Sequence, residues 1–242
     1  MSERDKGIAK GRCDMDIKSR LEDVRTRIAR AAECCGRDES DIKLIAVTKT
    51  YPTDAMNEVI RLGVTDIGEN KPQEVRDKFD AVLPVNWHLI GHLQTNKVKY
   101  VIDRCTMIHS VDSTKLMQEI ERLAKAHNRH IDILIQVNIS GEESKSGVSP
   151  TELPELLDYA KNLEFVHVKG LMTVAPKTEL GDVSIHFKNM KALFDETSSK
   201  TYKNVTMAEL SMGMSGDFET AIQYGATMIR IGSLIFGPRN YN

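Results

Sequence analysis

The chain has 242 residues, 33 Lys plus Arg against 35 Asp plus Glu, and a formal net charge of −2. That near-balance argues against a general nucleic-acid or membrane-surface binder. No run of about 18 apolar residues is present to span a bilayer, and the polar N-terminus of mixed charge does not read as a targeting segment. With 40% hydrophobic residues the chain can bury a sizeable core, and its length suits one α/β barrel of about 250 residues or two small domains. Cys13, Cys34, Cys35 and Cys105 lack CxxC spacing, which suits neither a disulfide framework nor a zinc site. A reducing, cytoplasmic setting follows.

Residues 1–14 lack apolar periodicity and read as a flexible extension, leaving 15–242 as one domain. From Asp16 onward Ile17, Leu21, Val24, Ile28 and Ala31 recur at helical spacing, with Gly36 as the stop signal. Cys35 continues that stripe and is expected to be buried. The apolar run Leu44 to Val47 predicts a first strand, followed by a helix from Thr53 to Leu62 closed by Gly63. Seven more strands are predicted: Val64 to Gly68, Trp87 to Gly91, Met107 to Val111, Ile131 to Ile139, Phe165 to Thr173, Ala208 to Met212 and Thr227 to Ile231. Helical patterns lie between them, including Leu116, Ile120 and Leu123, then Phe187, Met190 and Phe194, with Pro72 fitting the first position of another.

Eight strands alternating with helices predict a single (β/α)8 TIM barrel. Several strands are unbroken apolar runs, as parallel strands covered on both faces require. An open doubly wound sheet is the competing architecture, but the G-x-G-x-x-G turn after its first strand is missing.

Barrel chemistry collects at the C-terminal strand ends. Lys49 closes the first strand on the parity of Ile45 and Val47, so an inward face would carry its amine into the barrel mouth, desolvated and able to attack a carbonyl. A lysine simply leaving the strand into solvent is the plainer possibility. The segment Ser211-Met212-Gly213-Met214-Ser215-Gly216-Asp217 offers small residues, hydroxyls and backbone N–H groups to an anion, with Asp217 assigned to helix capping. Gly232 and Ser233 would complete this cradle from the last strand. Arg230 shares parity with Met228 and, if inward, needs an acceptor, for which a core carboxylate is one option. Gly68-Glu69-Asn70 and the block from Trp87 to Lys97 stand at two further strand ends; His88 and His92 are four apart on a strand without clustered Cys or carboxylates, so no metal is expected. The polar loop Lys145-Ser146-Gly147 is a candidate gate at the mouth, or an ordinary connection.

A strand-end lysine opposite a phosphate cradle specifies a ligand with both a carbonyl and a phosphate. Pyridoxal 5'-phosphate (PLP) and a phosphosugar both qualify, and Arg230 favours PLP because a guanidinium can donate to a pyridine nitrogen. The motifs Ala46-Val47-Thr48-Lys49, Gly68-Glu69-Asn70, Trp87 to Lys97, Gly170-Leu171-Met172-Thr173, Ser211 to Asp217 and Arg230 through Gly237 resemble the YggS/PROSC family of pyridoxal phosphate homeostasis proteins, in the same order from about residue 16 on. The resemblance implies a barrel similar to the N-terminal domain of alanine racemase. It further implies a Schiff base between PLP and Lys49, a phosphate surrounded by Ser211, Ser215, Gly232 and Ser233, and Arg230 at the ring nitrogen. Asn70 and His92 are carried as lining residues.

Two roles compete: a PLP carrier in vitamin B6 homeostasis, and a PLP-dependent amino-acid racemase. Racemases of this type add a C-terminal β-domain whose tyrosine is the second base, and this sequence ends at Asn242 soon after the eighth strand. Efficient catalysis is therefore not expected. A Schiff-base aldolase or phosphosugar enzyme ranks below both, since no strand-end acid and base pair stands out. The expected partners are PLP and PLP-requiring apoenzymes, with no nucleic acid or membrane, and the expected state is a monomer.

Overall fold

The computed structural model describes residues 16–142, 145–176, 182–200 and 202–238; the N-terminal extension and Cys13 lie outside them. Helix α1 (Ile17–Glu33) opens on Asp16, whose carboxylate accepts from the Ser19 N–H at 2.8 Å, and it buries Leu21, Val24, Ile28, Ala31 and Ala32. Gly36 ends it at φ +69°, the left-handed geometry expected of that stop.

Eight strands follow: β1 (Lys43–Val47), β2 (Asp66–Glu69), β3 (Asn86–Leu89), β4 (Met107–Val111), β5 (Ile131–Gln136), β6 (Val166–Met172), β7 (Val205–Met214) and β8 (Met228–Ile231). Each pairs in parallel with the next, and β8 returns to β1, where Lys43 lies opposite Met228 and Ile45 opposite Arg230. The closed barrel removes every sheet edge. Around it run α2 (Thr53–Arg61), α3 (Pro72–Lys78), α4 (Thr114–Ala126), α5 (Leu153–Ala160), α6 (Ser184–Ser198), α7 (Phe218–Gln223) and α8 (Ser233–Phe236), and α1 packs on α7 and α8.

Several boundaries differ from the sequence expectation. Strand β3 stops at Leu89, and the connection to β4 is a 3-10 stretch, Thr95–Tyr100, in place of an α-helix. Strand β5 ends at Gln136 because the chain returns to it: Val148 donates to Gln136 O and accepts from Asn138 N. Strand β7 runs ten residues, with a register shift against β8 between Ser211 and Met214.

The main core lies between the barrel's outer face and the helices, built from residues such as Ile67, Leu89, Ile108, Ile133, Phe187, Phe218 and Ile229. A second cluster fills part of the interior: Ile45, Met107, Leu134, Met172 and Met228. Period two then turns His109 and Arg230 inward beside Met107 and Met228. Cys34 is exposed and Cys35 half-buried, less enclosed than its place on the stripe suggests, with its thiol donating to Ala31 O and Ala32 O. Cys105 is buried in the apolar shell, which pushes its thiol up to about 12 and leaves it unreactive.

Candidate functional site

Strand β1 turns its inner face toward the barrel axis and carries the chain to Lys49 at the C-terminal rim. The residues on either side of Lys49 are clamped. Thr48 Oγ1 donates to Glu69 Oε1 at 2.8 Å, Lys78 Nζ donates to Thr48 O at 3.3 Å, and the Thr50 N–H donates to Glu74 Oε2 at 2.9 Å. Lys78 joins the two carboxylates, at 2.9 Å from Glu69 and 2.8 Å from Glu74. Thr50 sits at φ +70°, a strained backbone for a β-branched residue, at the corner this clamp holds. Burial pushes the Glu69 carboxyl up to about 7, against the pull of Lys78, and its Oε2 has no hydrogen-bond partner.

Lys49, Asn70, Ser215, Arg230, Gly232 and Ser233 line one cavity of about 370 Å³ with Val47, Ile90, Val174, Met214 and Gly216. Six of the eight residues singled out in the sequence thus meet in one place. Two do not. The side chain of His92 is 57% exposed and lies 3.8 Å from Asp112, away from the cavity wall. Ser211 is still inside β7 with its side chain pointing into the barrel, so its hydroxyl accepts from Arg230 at 2.5 Å and meets His109 Nδ1 at 3.0 Å beneath the cavity.

Arg230 is buried inside the barrel, and its hydrogen bonds go to Ser211 Oγ and to Thr173 O at 2.8 Å, with no carboxylate among these partners. Burial pulls the guanidinium down to about 10, a loss that the charge of Asp217 partly offsets, so it stays ionised at neutral pH. A guanidinium has five N–H donors, and two hydrogen bonds leave donors for a ligand in the cavity it lines. Asp217 does not cap α7 with its side chain: Oδ1 turns back to accept from the Met214 N–H at 2.6 Å, and burial raises its pKa. That turn carries Ser215 and Gly216 to the rim. Gly213 allows it at φ +92°, where a Cβ would stand 2.6 Å from Ala221 Cβ.

On the other side of the mouth, Gly91 admits Asn70: a Cβ there would lie 2.4 Å from the Asn70 carbonyl oxygen. Lys145 docks on the rim, donating to the carbonyl of Val174 at 3.2 Å. Among the described residues that line the cavity, the charged groups are Lys49 and Arg230, both cationic. A small anion with a carbonyl and an aromatic nitrogen matches this lining: an amine at one end, guanidinium N–H groups on the floor, and hydroxyl and backbone N–H groups on a third wall.

A larger groove, about 510 Å³, opens at the opposite end, among Arg25, Glu39, Lys43, Thr65 and Asp66. Its charges are of both signs and it faces the N-terminal strand ends, opposite the end where barrel chemistry collects. The smaller cavity is the candidate site. No group of three or more His, Cys, Asp or Glu side chains able to hold a metal occurs among the described residues.

Residues 20–240 match the family model described as alanine racemase, N-terminal domain. An alanine racemase of Clostridium difficile 630 shares the barrel at a TM-score of 0.68 and 17% identity, over 94% of this chain and 58% of that one. At closer range, the pyridoxal phosphate homeostasis protein of Aquifex aeolicus is 44% identical over 94% of this chain and 100% of its own length. The structure of PipY from Synechococcus elongatus PCC7942 with PLP bound superposes at a TM-score of 0.74 and 30% identity, over 92% of this chain and 100% of that chain. The chain is an alanine racemase-like (β/α)8 barrel and belongs to the pyridoxal phosphate homeostasis protein family.

Proposed function

We propose that this protein binds PLP in the strand-end cavity, with Lys49 as its covalent anchor, and serves intracellular vitamin B6 homeostasis by holding and releasing the cofactor. The family membership and the PLP-bound PipY relative support the ligand. When bound, PLP supplies an aldehyde open to amines and a ring that can accept electrons. Lys49, which lines the cavity, would hold the cofactor through that aldehyde. Arg230, also on the cavity lining, would offer its remaining N–H groups to the ring nitrogen and, being cationic, would disfavour its protonation. Ser215 Oγ and the backbone N–H groups of Gly216 and Ser233 would receive the phosphate, with the Gly232 N–H, now donating to Ser215 Oγ at 3.4 Å, beside them. Asn70 closes one side, and Ile90, Val174 and Met214 keep the site partly dry.

One observation carries the choice of carrier over racemase. Racemisation needs a base on each face of the reacting carbon, and the described lining contains Lys49 and Arg230 as its only titratable side chains. With a guanidinium at the ring nitrogen, the ring is also a weaker electron sink than one paired with a carboxylate. The carrier acts as a monomer whose exchange partners are PLP-requiring apoenzymes. Purified wild type incubated with PLP and desalted should retain a visible absorption band, which Lys49→Ala should lose, and neither should racemise alanine above the rate of free PLP. Loss of the band from wild type would remove the cofactor; enzymatic racemisation would restore the racemase reading.

A further inference from the structure

The floor of the cavity is the near end of a hydrogen-bonded chain that runs through the barrel interior. Arg230 donates to Ser211 Oγ, Ser211 Oγ meets His109 Nδ1 at 3.0 Å, His109 Nε2 meets His88 Nδ1 at 2.9 Å, and His88 Nε2 meets Asp66 Oδ1 at 2.9 Å. Five strands contribute one residue each: β8, β7, β4, β3 and β2. All five are buried, and Asp66 ends the chain on the wall of the groove at the opposite end.

The proton positions along this chain follow from its two ends. Burial acts to raise the Asp66 pKa, but hydrogen bonds from His88 and from Thr65, the latter at 2.7 Å, outweigh it and hold the carboxyl below its ordinary value, so Asp66 is an ionised acceptor. His88 must then present the proton on Nε2 to Asp66, which leaves Nδ1 as its acceptor toward His109. His109 therefore donates from Nε2. Burial, with the positive charges of Arg230 and Lys43 adding to it, holds His109 well below the usual histidine range, so it is neutral and its Nδ1 accepts the Ser211 hydroxyl. The Ser211 oxygen is left with its lone pairs toward Arg230. Every donor points one way, from Arg230 to Asp66.

From this geometry we infer that Asp66, His88, His109 and Ser211 are positioning residues that fix the Arg230 guanidinium toward the ring nitrogen of PLP, so that changes deep in the barrel alter how the cofactor is held. The inference rests on the PLP reading. Arg230 has no carboxylate partner in its hydrogen bonds, and its one side-chain acceptor, Ser211 Oγ, is held in place by its contact with His109 Nδ1. Without that acceptor a buried guanidinium N–H is left unpaired or must rotate.

The test uses His109→Leu and Ser211→Ala, with Ser211→Thr as the conservative variant that keeps the hydroxyl. The readouts are the PLP dissociation constant, the ring ¹⁵N chemical shift of labelled PLP, and the melting midpoint. The two disruptive variants should bind about 10-fold more weakly or worse, the worth of a charged hydrogen bond, with a displaced ¹⁵N shift and the visible Lys49 band retained, while Ser211→Thr stays near wild type. Folded disruptive variants with wild-type affinity and ¹⁵N shift would overturn the inference. Should either variant fail to fold, ¹⁵N–¹H spectra of the wild-type histidines decide without PLP: protons on Nε2 of both His88 and His109 support the chain, and a proton on Nδ1 of either contradicts it. Failure of wild type to take up PLP would strike the reading beneath, and the histidine spectra would still judge the chain itself.

Discussion

Glu69 carries a carboxyl whose titration folding moves toward neutral pH. Its carboxyl moves from an ordinary value of 4.5 to about 7 on folding because burial outweighs the Lys78 partner. A group whose pKa is raised in the folded state contributes stability that is full below about 4.5 and lost as pH rises through about 7. The difference approaches an order of 3 kcal/mol as an upper bound. Glu69→Gln, which keeps an acceptor for Thr48 and Lys78 but cannot ionise, should therefore gain in melting temperature relative to wild type between pH 5 and pH 8. Thermal melts at the two pH values check the sign; a parallel shift at both would show that the carboxyl does not titrate there. The same residue illustrates what sequence alone conveys: Gly68-Glu69-Asn70 stands out as a strand-end motif, yet Glu69 turns outward to clamp Thr48 while Asn70 lines the cavity. His109 is harder to see. It sits within an apolar strand, and only its shared parity with Met107, together with the inward side of Met228, would have marked it as an interior group.

Among the elements, the loop from Ser211 to Asp217 links the extended β7 to the cavity rim. Gly213→Ala meets both a left-handed φ and a 2.6 Å approach to Ala221 Cβ, so it should destabilise the fold by roughly 1–3 kcal/mol and weaken PLP binding, because the displaced turn carries Ser215 and Gly216. Denaturant unfolding and a PLP titration measure the two effects; wild-type values in both would mean the turn does not position the phosphate wall. The loop around Lys145 predicts faster PLP release in Lys145→Ala, since the ammonium ties that loop to Val174 on the cavity wall. Unchanged release rates in a stopped-flow transfer assay would show that the loop does not gate. The strands were legible because parallel strands buried on both faces give unbroken apolar runs. The 3-10 connection Thr95–Tyr100 and the early end of β5 were not, because both depend on tertiary pairing such as Val148 with Gln136 and Asn138.

At the scale of the whole molecule, closure of β8 onto β1 brings Arg230 opposite Ile45, and so sets a guanidinium from one end of the sequence under a lysine from the other. Contacts across nearly the full chain length assemble the cavity, which therefore forms only in the folded barrel. PLP should accordingly raise the melting temperature: at 100 times its dissociation constant the linkage is about 2.7 kcal/mol, and roughly 2–4 °C per kcal/mol applies at this size. Lys49→Ala should show little of that shift. The central claim, that Lys49 is the covalent anchor of PLP, is tested most directly by borohydride reduction of the PLP-loaded protein followed by peptide mass mapping. One pyridoxyl phosphate group on the peptide containing Lys49 is the predicted result; a modified peptide that excludes Lys49, or an unmodified chain, would contradict the account.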